Sequence, residues 1–353
     1  MTAPISVLIT AAGAPQSPTL IRHLKENGER PVRIVAVDMD SEAAGGFLAD
    51  AFYPIPPAGA PGYADAVLEV VRGEKPDVFL NVSETDVPHI ARLRDRIEEL
   101  GTRVCGSDSA ALEIATNKLA LYGRLQAVAA DLVPEFRAPA DLDQFVDMVR
   151  AMGYPERELC FKPHRGKGTR GFRILSERFD RRDLLLNHKP VSRYMTLDEF
   201  VSIFRDSPTF PSLLLMEVVT GEECDAMTLA YRGEALLTTV KARESHRWGV
   251  IDRGELIDRP ALVARTRTII REIPLAYNLS LQYIGDKLIE INPRTSTFIY
   301  EGDFNEPWLA IKLALGLISA DEVRAFQDRV PIGRRMVRYM DQIFFAPDGR
   351  WWH

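Results

Sequence analysis

Up to Ser109 the chain alternates short apolar runs with amphipathic stretches, and this alternation restricts the fold more than any other feature. Ile5 to Ala11, Arg33 to Val37, Val78 to Val82 and Val104 to Gly106 read as strands. Between them, Ser17 and Pro18 supply an N-cap and a favourable first residue ahead of Leu20, Ile21 and Leu24, and Gly28 stands where that helix should stop. Tyr63 to Arg72 reads as a second helix, and Ile90, Leu93, Ile97 and Leu100 trace one face of a third. Such alternation predicts a parallel sheet wound like a Rossmann domain.

Beyond Ser109 the pattern changes to hairpins separated by helices, a different domain. Its strands are expected at Leu159 to Pro163, Phe172 to Leu175, Leu213 to Val218, Cys224 to Tyr231, Ala235 to Lys241, Leu279 to Ile284 and Leu288 to Asn292. Helices are expected around Lys118, near Asp141 to Met152, and at Leu197 to Phe204, Pro260 to Ile273 and Pro307 to Leu315, with a strand in the tail after Val330. A length of 353 residues suits two or three domains. With 46% hydrophobic and 27% charged residues and no apolar run near the roughly 20 needed to span a bilayer, membrane spans and wholesale disorder are not expected. A net charge of -6 argues against a nucleic-acid partner. Cys105, Cys160 and Cys224, an odd and widely spaced set, argue against a disulfide framework or a cysteine zinc site. The opening strand has no basic leader before it, so a cytoplasmic address is expected.

Three segments carry chemistry. Asp38 closes the second strand where a dinucleotide ribose would be held, but the first turn, Ala11 to Gln16, has a single glycine and two nearby prolines. Nicotinamide binding is therefore the weaker reading beside an ordinary strand end. Phe161 to Arg173 interrupts a hairpin with three glycines and six basic residues. Glycines expose backbone N–H groups and the cations supply countercharge, so the loop is either a phosphate cradle or a solvated basic hairpin. Leu279 to Arg294 reads as two strands about a tight turn, ending in an acid, an amide and an arginine. Oxygen ligands there would suit Mg²⁺ carried on substrate phosphates, and an edge hairpin with polar residues facing water is the alternative.

These motifs, in this order, resemble the ATP-grasp enzymes, and within them the carbamoyl-phosphate-synthase-like single ATP-grasp ligases that include the lysine-joining enzyme of pyrrolysine biosynthesis. The similarity spans a Rossmann-like first domain, Asn117-Lys118, Lys162-Pro163 with Gly166, Gly168, Thr169 and Gly171, then Met216 to Val219, Gly221 to Glu223, and Glu290 to Arg294. It implies an α/β architecture: a Rossmann-like pre-ATP-grasp domain at 1–112, then a two-lobed α+β ATP-grasp domain whose lobes are 113–215, with the glycine loop, and 216–353, with the metal hairpin. It implies that Lys118, Lys162 and the glycine loop contact ATP phosphates, that Glu217, Val218 and Val219 present backbone groups to adenine, and that Glu223 holds the ribose. Gln282, Glu290 and Asn292 would hold Mg²⁺, or Mn²⁺ in its place. Arg294, Lys241 and Arg243 would neutralise the transferring phosphate.

The reaction so implied joins a small carboxylate, activated as an acyl phosphate, to an amine, with release of ADP and phosphate. A homodimer is compatible with the family. A nucleotide-binding regulatory protein without turnover is the other class of reading. His164 and His246 are candidate proton carriers beside the plainer reading of ordinary loop histidines. Ser83 and Glu84, at the carboxyl end of the third strand, would meet a cationic substrate amine, unless the segment to Asp86 only caps the next helix. A three-residue turn, Gly285 to Lys287, is expected, because it sets Gln282 opposite Glu290 with Asn292 on the same face.

Overall fold

The computed structural model describes residues 3–166, 170–188, 192–247, 250–295, 303–346, 349 and 351–352. The chain divides into two compact units: residues 1–115, 223–282 and 291–353 form the first, residues 116–222 and 283–290 the second.

The first unit opens with β1 (Ile5–Ile9), α1 (Ser17–Lys25), β2 (Val32–Asp38), α2 (Ala44–Leu48), β3 (Ala51–Pro54), α3 (Tyr63–Glu74), β4 (Val78–Leu80), α4 (Val87–Glu99), β5 (Arg103–Cys105) and α5 (Ser109–Ala115). The five strands pair in parallel in the order β3-β2-β1-β4-β5. Alternation along β1 divides the core: Ile5, Val7 and Ile9 pack with Leu20, Ile21 and Leu24, while Leu8 joins Val35, Phe79, Val67 and Ile90 on the other face. The sheet has one strand more than the four expected. β3 is a short edge strand, Ala-Phe-Tyr-Pro, only half-buried at best, and so carries little apolar signal. Ser17 also differs from expectation. It is the first helical residue, behind Gln16 as N-cap, and its hydroxyl donates to Ala11 O at 2.7 Å.

The second unit contains α6 (Lys118–Gln126), β6 (Phe136–Arg137), α7 (Leu142–Ala151), β7 (Leu159–Pro163), β8 (Arg173–Leu175), α8 (Arg181–Asn187), β9 (Tyr194–Met195), α9 (Leu197–Phe204) and β10 (Leu213–Glu217), with strand order β6-β10-β7-β8-β9. Asp141 caps α7 by accepting from Gln144 N, and Thr196 with Glu199 forms a capping box on α9. The amphipathic faces of these helices meet in an aromatic cluster: Phe145 stacks on Phe200 with ring centres 4.0 Å apart and stands edge-on to Phe161 at 5.7 Å. Phe145→Ala would cost about 3–5 kcal/mol.

The chain then returns to the first unit through β11 (Glu223–Tyr231), β12 (Glu234–Arg247), β13 (Val250–Ile257), α10 (Pro260–Glu272), β14 (Tyr277–Ile284), β15 (Lys287–Asn292), α11 (Glu306–Ala314), α12 (Ala320–Ala325), β16 (Arg335–Val337), β17 (Phe344–Phe345) and β18 (Trp351–Trp352). The large sheet runs β15-β14-β11-β12-β13-β16; the tip of its β14–β15 hairpin, residues 283–290, is the part counted with the second unit. β12 is twice as long as expected and β13 was not expected, because charged sequences such as Arg-Glu-Ser-His-Arg are held there by antiparallel ladder pairing and not by apolar periodicity. α11 carries Trp308 and Ile311 into the core that holds Ile5, Val7 and Ile9, so the last third of the chain consolidates with the first.

The β14–β15 turn is one residue shorter than expected. β14 ends at Ile284 and β15 begins at Lys287, leaving the two residues Gly285 and Asp286, with Gly285 at φ +52°. Glycine at a positive φ in the first turn position matches strand twist in a two-residue hairpin. Asn278 and Ser280 of β14 are buried as well as Leu279, Leu281 and Tyr283, while Gln282 is half-buried. All three cysteines are buried and unbridged, and among the described residues no helix is long and apolar enough to cross a membrane.

Candidate functional site

In the second unit the start of α6 and the end of β7 are tied together. Asn117 caps α6: its Oδ1 accepts from Leu119 N and Ala120 N and lies 3.0 Å from His164 Nδ1. The Lys118 N–H donates to His164 O, and its ammonium donates to Gly166 O at 3.1 Å, so the lysine bridges helix and glycine loop. Lys118 Nζ also lies 3.3 Å from Glu290 Oε2. Lys162 Nζ reaches Ile289 O at 3.4 Å and sits 5.9 Å from the ring centre of Tyr122, whose hydroxyl donates to the same carbonyl at 2.8 Å. Two ammonium groups thus flank one carboxylate. Burial, then the Lys118 charge, push Lys162 down to about 8, with Glu290 pulling the other way. A desolvated surplus of positive charge attracts anions. His164 is held below its ordinary value by burial, Arg165 and Lys118, which favours the neutral ring that donates to Asn117. That gives it a structural partner.

Gly171 has φ +76°, and a Cβ there would meet Pro163 Cδ at 2.7 Å, so glycine is required. Gly168 and Thr169 lie outside the described residues. At the other end of the unit, Val218 and Val219 follow the end of β10, where ladder pairing stops. Glu217 is fully engaged: its N–H donates to Glu135 O, its carbonyl accepts from the Cys160 thiol at 3.3 Å, and its carboxylate accepts from Glu135 N and Arg157. Gly221 approaches the hairpin turn so closely that a Cβ would lie 3.0 Å from Gly285 Cα, and Gly285 N–H donates to Glu222 O.

In the first unit, β11 and β12 pair so that Asp225 faces Lys241. Glu223, Asp225, Lys241 and Arg243 share one sheet face, opposite charges across from each other. Arg243 Nε lies 2.8 Å from Glu223 Oε1 and its Nη1 3.1 Å from Asp225 Oδ1, while Lys241 Nζ lies 3.8 Å from Asp225 Oδ2. Gln282 donates its Nε2 to Glu223. Lys241 is wholly buried, and that burial pushes it down to about 8 against the pull of Asp225. Gly254 on β13 makes room: a Cβ would meet Lys241 Cδ at 3.2 Å and Ala242 O at 2.7 Å. Glu306, also buried, accepts from Thr239 at 2.7 Å and is pushed up to about 8 by burial.

Asp225, Gly254 and Glu306 were not singled out from the sequence. The alternation Glu-x-Asp on β11 against Lys-x-Arg on β12 is the signal that could have found Asp225. Thr295, which follows Arg294, donates its N–H to Asn81 O at 3.0 Å, and this places the Arg294 segment at the carboxyl end of β4 within the first unit. Glu84 is half-buried in the loop after that strand. Ser83 has a local task, since its hydroxyl accepts from Thr85 N; Asp86 accepts from Tyr63 in place of capping α4. Asp38 is likewise taken up by its own turn, accepting from Gly13 N at 2.8 Å and Asp40 N at 2.9 Å, which leaves little of it for a ribose.

A magnesium ion that travels on nucleotide phosphates needs only one or two protein carboxylates. Glu290 fits that demand, with about a third of its side chain exposed beside Lys118. Asn292 lies two residues further along the same strand and shares its face. With Nε2 committed to Glu223, Oε1 is the atom Gln282 would offer. Among the described residues no three His, Cys, Asp or Glu side chains gather as a metal cluster.

Residues 7–105 match the family model of the PylC-like N-terminal domain, and residues 209–334 match that of the ATP-grasp domain in the biosynthetic pathway with Ter operon. No curated protein is similar enough in sequence to match. Among solved structures, the biotin carboxylase domain of 2-oxoglutarate carboxylase from Hydrogenobacter thermophilus, a dimer in complex with MgADP, ADP and bicarbonate, is similar at 17% identity over 88% of this chain and 69% of that one, with a TM-score of 0.59. N5-carboxyaminoimidazole synthetase from Staphylococcus aureus, complexed with ADP, gives 14%, 87%, 77% and 0.61. L-amino acid ligase from Bacillus licheniformis gives 14%, 83%, 68% and 0.55. At these identities the likeness is one of fold.

Proposed function

The chain belongs to the ATP-grasp superfamily, and from that premise we propose that it is an ATP-dependent carboxylate–amine ligase working through an acyl phosphate. The observation that carries this reading is the pair of lysines at Glu290: two cations and one carboxylate, partly shut from water, form a site one negative ligand short of balance. Lys118 and Lys162 hold the ATP phosphates beneath the glycine loop that starts at Gly166 and ends at Gly171. Val218 and Val219 present backbone groups to adenine, Glu217 having both of its own already paired, and Glu223 takes the ribose. Glu290 and Asn292, with Gln282, hold Mg²⁺, which supplies charge neutralisation when bound.

Phosphoryl transfer needs alignment and charge stabilisation, not a protein nucleophile. Arg294 supplies donors toward the phosphate and acyl phosphate, while Lys241 and Arg243, paired with Asp225 and Glu223, hold their sheet face in place. Glu84 meets the amine, with Ser83 shaping its loop. The ADP- and MgADP-bound relatives and the amino acid ligase among them support this reading. The test is ADP release from ATP and Mg²⁺ in the presence of paired small carboxylates and amines. Release that requires both substrates supports the ligase; ATP binding without any stimulated release would make the protein a nucleotide sensor.

A further inference from the structure

A cavity of about 530 Å³ opens in the first unit between α10, the β11–β12 turn and α12. Its volume lies in the range of small-molecule sites. Arg267 and Arg271 reach it from α10, Arg324 from α12, and residues 233–236 with Gln327 complete the wall. None of these residues belongs to the ATP-grasp motifs.

The wall is partly locked. Arg324 grips Glu234 as a fork, Nε to Oε1 at 2.7 Å and Nη2 to Oε2 at 3.0 Å, and turns its remaining nitrogen to Asp321. Gln327 is fixed by two hydrogen bonds to the Thr238 backbone, each 2.9 Å. Arg267 and Arg271 are different. Among the described residues neither makes a hydrogen bond or ion pair, although the Arg267 charge helps hold Glu234 low. Three arginines against Glu234 and Asp321 leave positive charge in surplus. Arg267 and Arg271 stand one helical turn apart, so their guanidinium groups repel unless an anion joins them.

We propose that this cavity binds a small organic phosphate, a second anion site separate from the proposed nucleotide site. A phosphate monoester offers two negative charges and three acceptor oxygens, enough for a guanidinium fork from each arginine. The remaining volume takes the organic group. The locked Arg324–Glu234 pair keeps the carboxylate from folding over Arg267 and Arg271, and so preserves them for the ligand.

The test is calorimetric titration of the full-length protein with phenyl phosphate, and with benzoate as its carboxylate counterpart, at low ionic strength. Phenyl phosphate is expected to bind saturably to wild type and, with unchanged affinity, to Lys162→Met, which removes the phosphate-side lysine of the other site. Arg267→Gln/Arg271→Gln should weaken it at least tenfold while keeping the thermal midpoint and ADP formation of wild type. Benzoate should bind at least tenfold more weakly than phenyl phosphate. Equal affinity in the double arginine variant, loss of binding in Lys162→Met, or benzoate binding as tightly as phenyl phosphate would each overturn the proposal.

Discussion

Lys162 and Lys241 share one perturbation, a side chain pushed down to about 8 by burial, yet they sit in opposite kinds of surroundings. Lys162 has a second lysine beside it and half a share in Glu290; the charges around it do not cancel. Lys241 alternates with Arg243, Asp225 and Glu223 across two paired strands, and there they do cancel. A buried cation with its own carboxylate is a fixed part of the protein. One without is poised for a ligand. The same residue type thus has a positioning role in the first unit and a binding role in the second, and four experiments separate the two.

The largest effect is expected at Asp225. Asp225→Ala strands Lys241 and strips Arg243 of one of its two carboxylates inside a dry sheet, a loss of about 3–5 kcal/mol. Chemical denaturation read by circular dichroism measures it. If the variant is as stable as wild type, Lys241 and Arg243 are not held by a balanced cluster and the contrast fails.

How legible these two regions were in the sequence follows the same division. Lys118 and Lys162 were named through the family likeness, and only the glycines and cations of the loop after Lys162 marked the region by composition alone. Parallel alternation in the first domain was legible because β1 buries alternate residues on two helical layers. The charge cluster was half-legible. Lys241 and Arg243 were named through a family likeness, while Asp225, their partner across the ladder, was not, because pairing of β11 with β12 is a tertiary fact. Glu306 gave no local signal at all, since what makes it unusual is burial against Thr239. The hairpin turn was expected one residue too long because its length was argued from polar alternation and not from the glycine that opens it.

Next in size is the lysine pair itself. Lys162→Met removes a desolvated charge, so folding stability should hold or rise, while ADP formation falls by about 10²–10³, the usual loss for a donor aimed at a transferring group. Glu290→Gln sharpens the point. With the carboxylate gone the two lysines are unopposed, so metal-free ATP should bind at least as well as to wild type, yet ADP formation at saturating Mg²⁺ should be lost. Steady-state kinetics beside ATP titrations in EDTA distinguish these variants. Weaker metal-free binding in Glu290→Gln would mean that Glu290 orders Lys118 more than it neutralises it.

Titration gives a smaller effect with a sign of its own. Lys162 is lowered from 10.5 to about 8, so between those values the unfolded chain binds the extra proton and stability rises with pH. ATP binding runs the other way, because the charge that holds phosphate disappears as pH passes about 8. Affinity should fall by up to tenfold per pH unit above that point, and Lys162→Met should flatten both trends. Lys241, with a similar value, should add to the stability slope but not to the ATP slope.

The smallest effect should come from Tyr122, which lies under the lysine pair without carrying charge. Its hydroxyl and the Lys162 ammonium converge on Ile289 O, the hydroxyl at 2.8 Å and the ammonium at 3.4 Å. Tyr122→Phe keeps the buried ring and its contact with the ammonium and removes one hydrogen bond, a change of about 0.5–1.5 kcal/mol in stability. The carbonyl keeps Lys162 as its donor, so it is not orphaned. If Lys162 is set by its ionic surroundings, as the comparison with Lys241 holds, ATP affinity should change by less than about threefold, close to the cost of a fraction of one such bond. A tenfold loss, measured by ATP titration at pH 7, would instead make the tyrosine hydroxyl the element that aims the lysine and move the binding role from charge surplus to hydrogen-bond geometry.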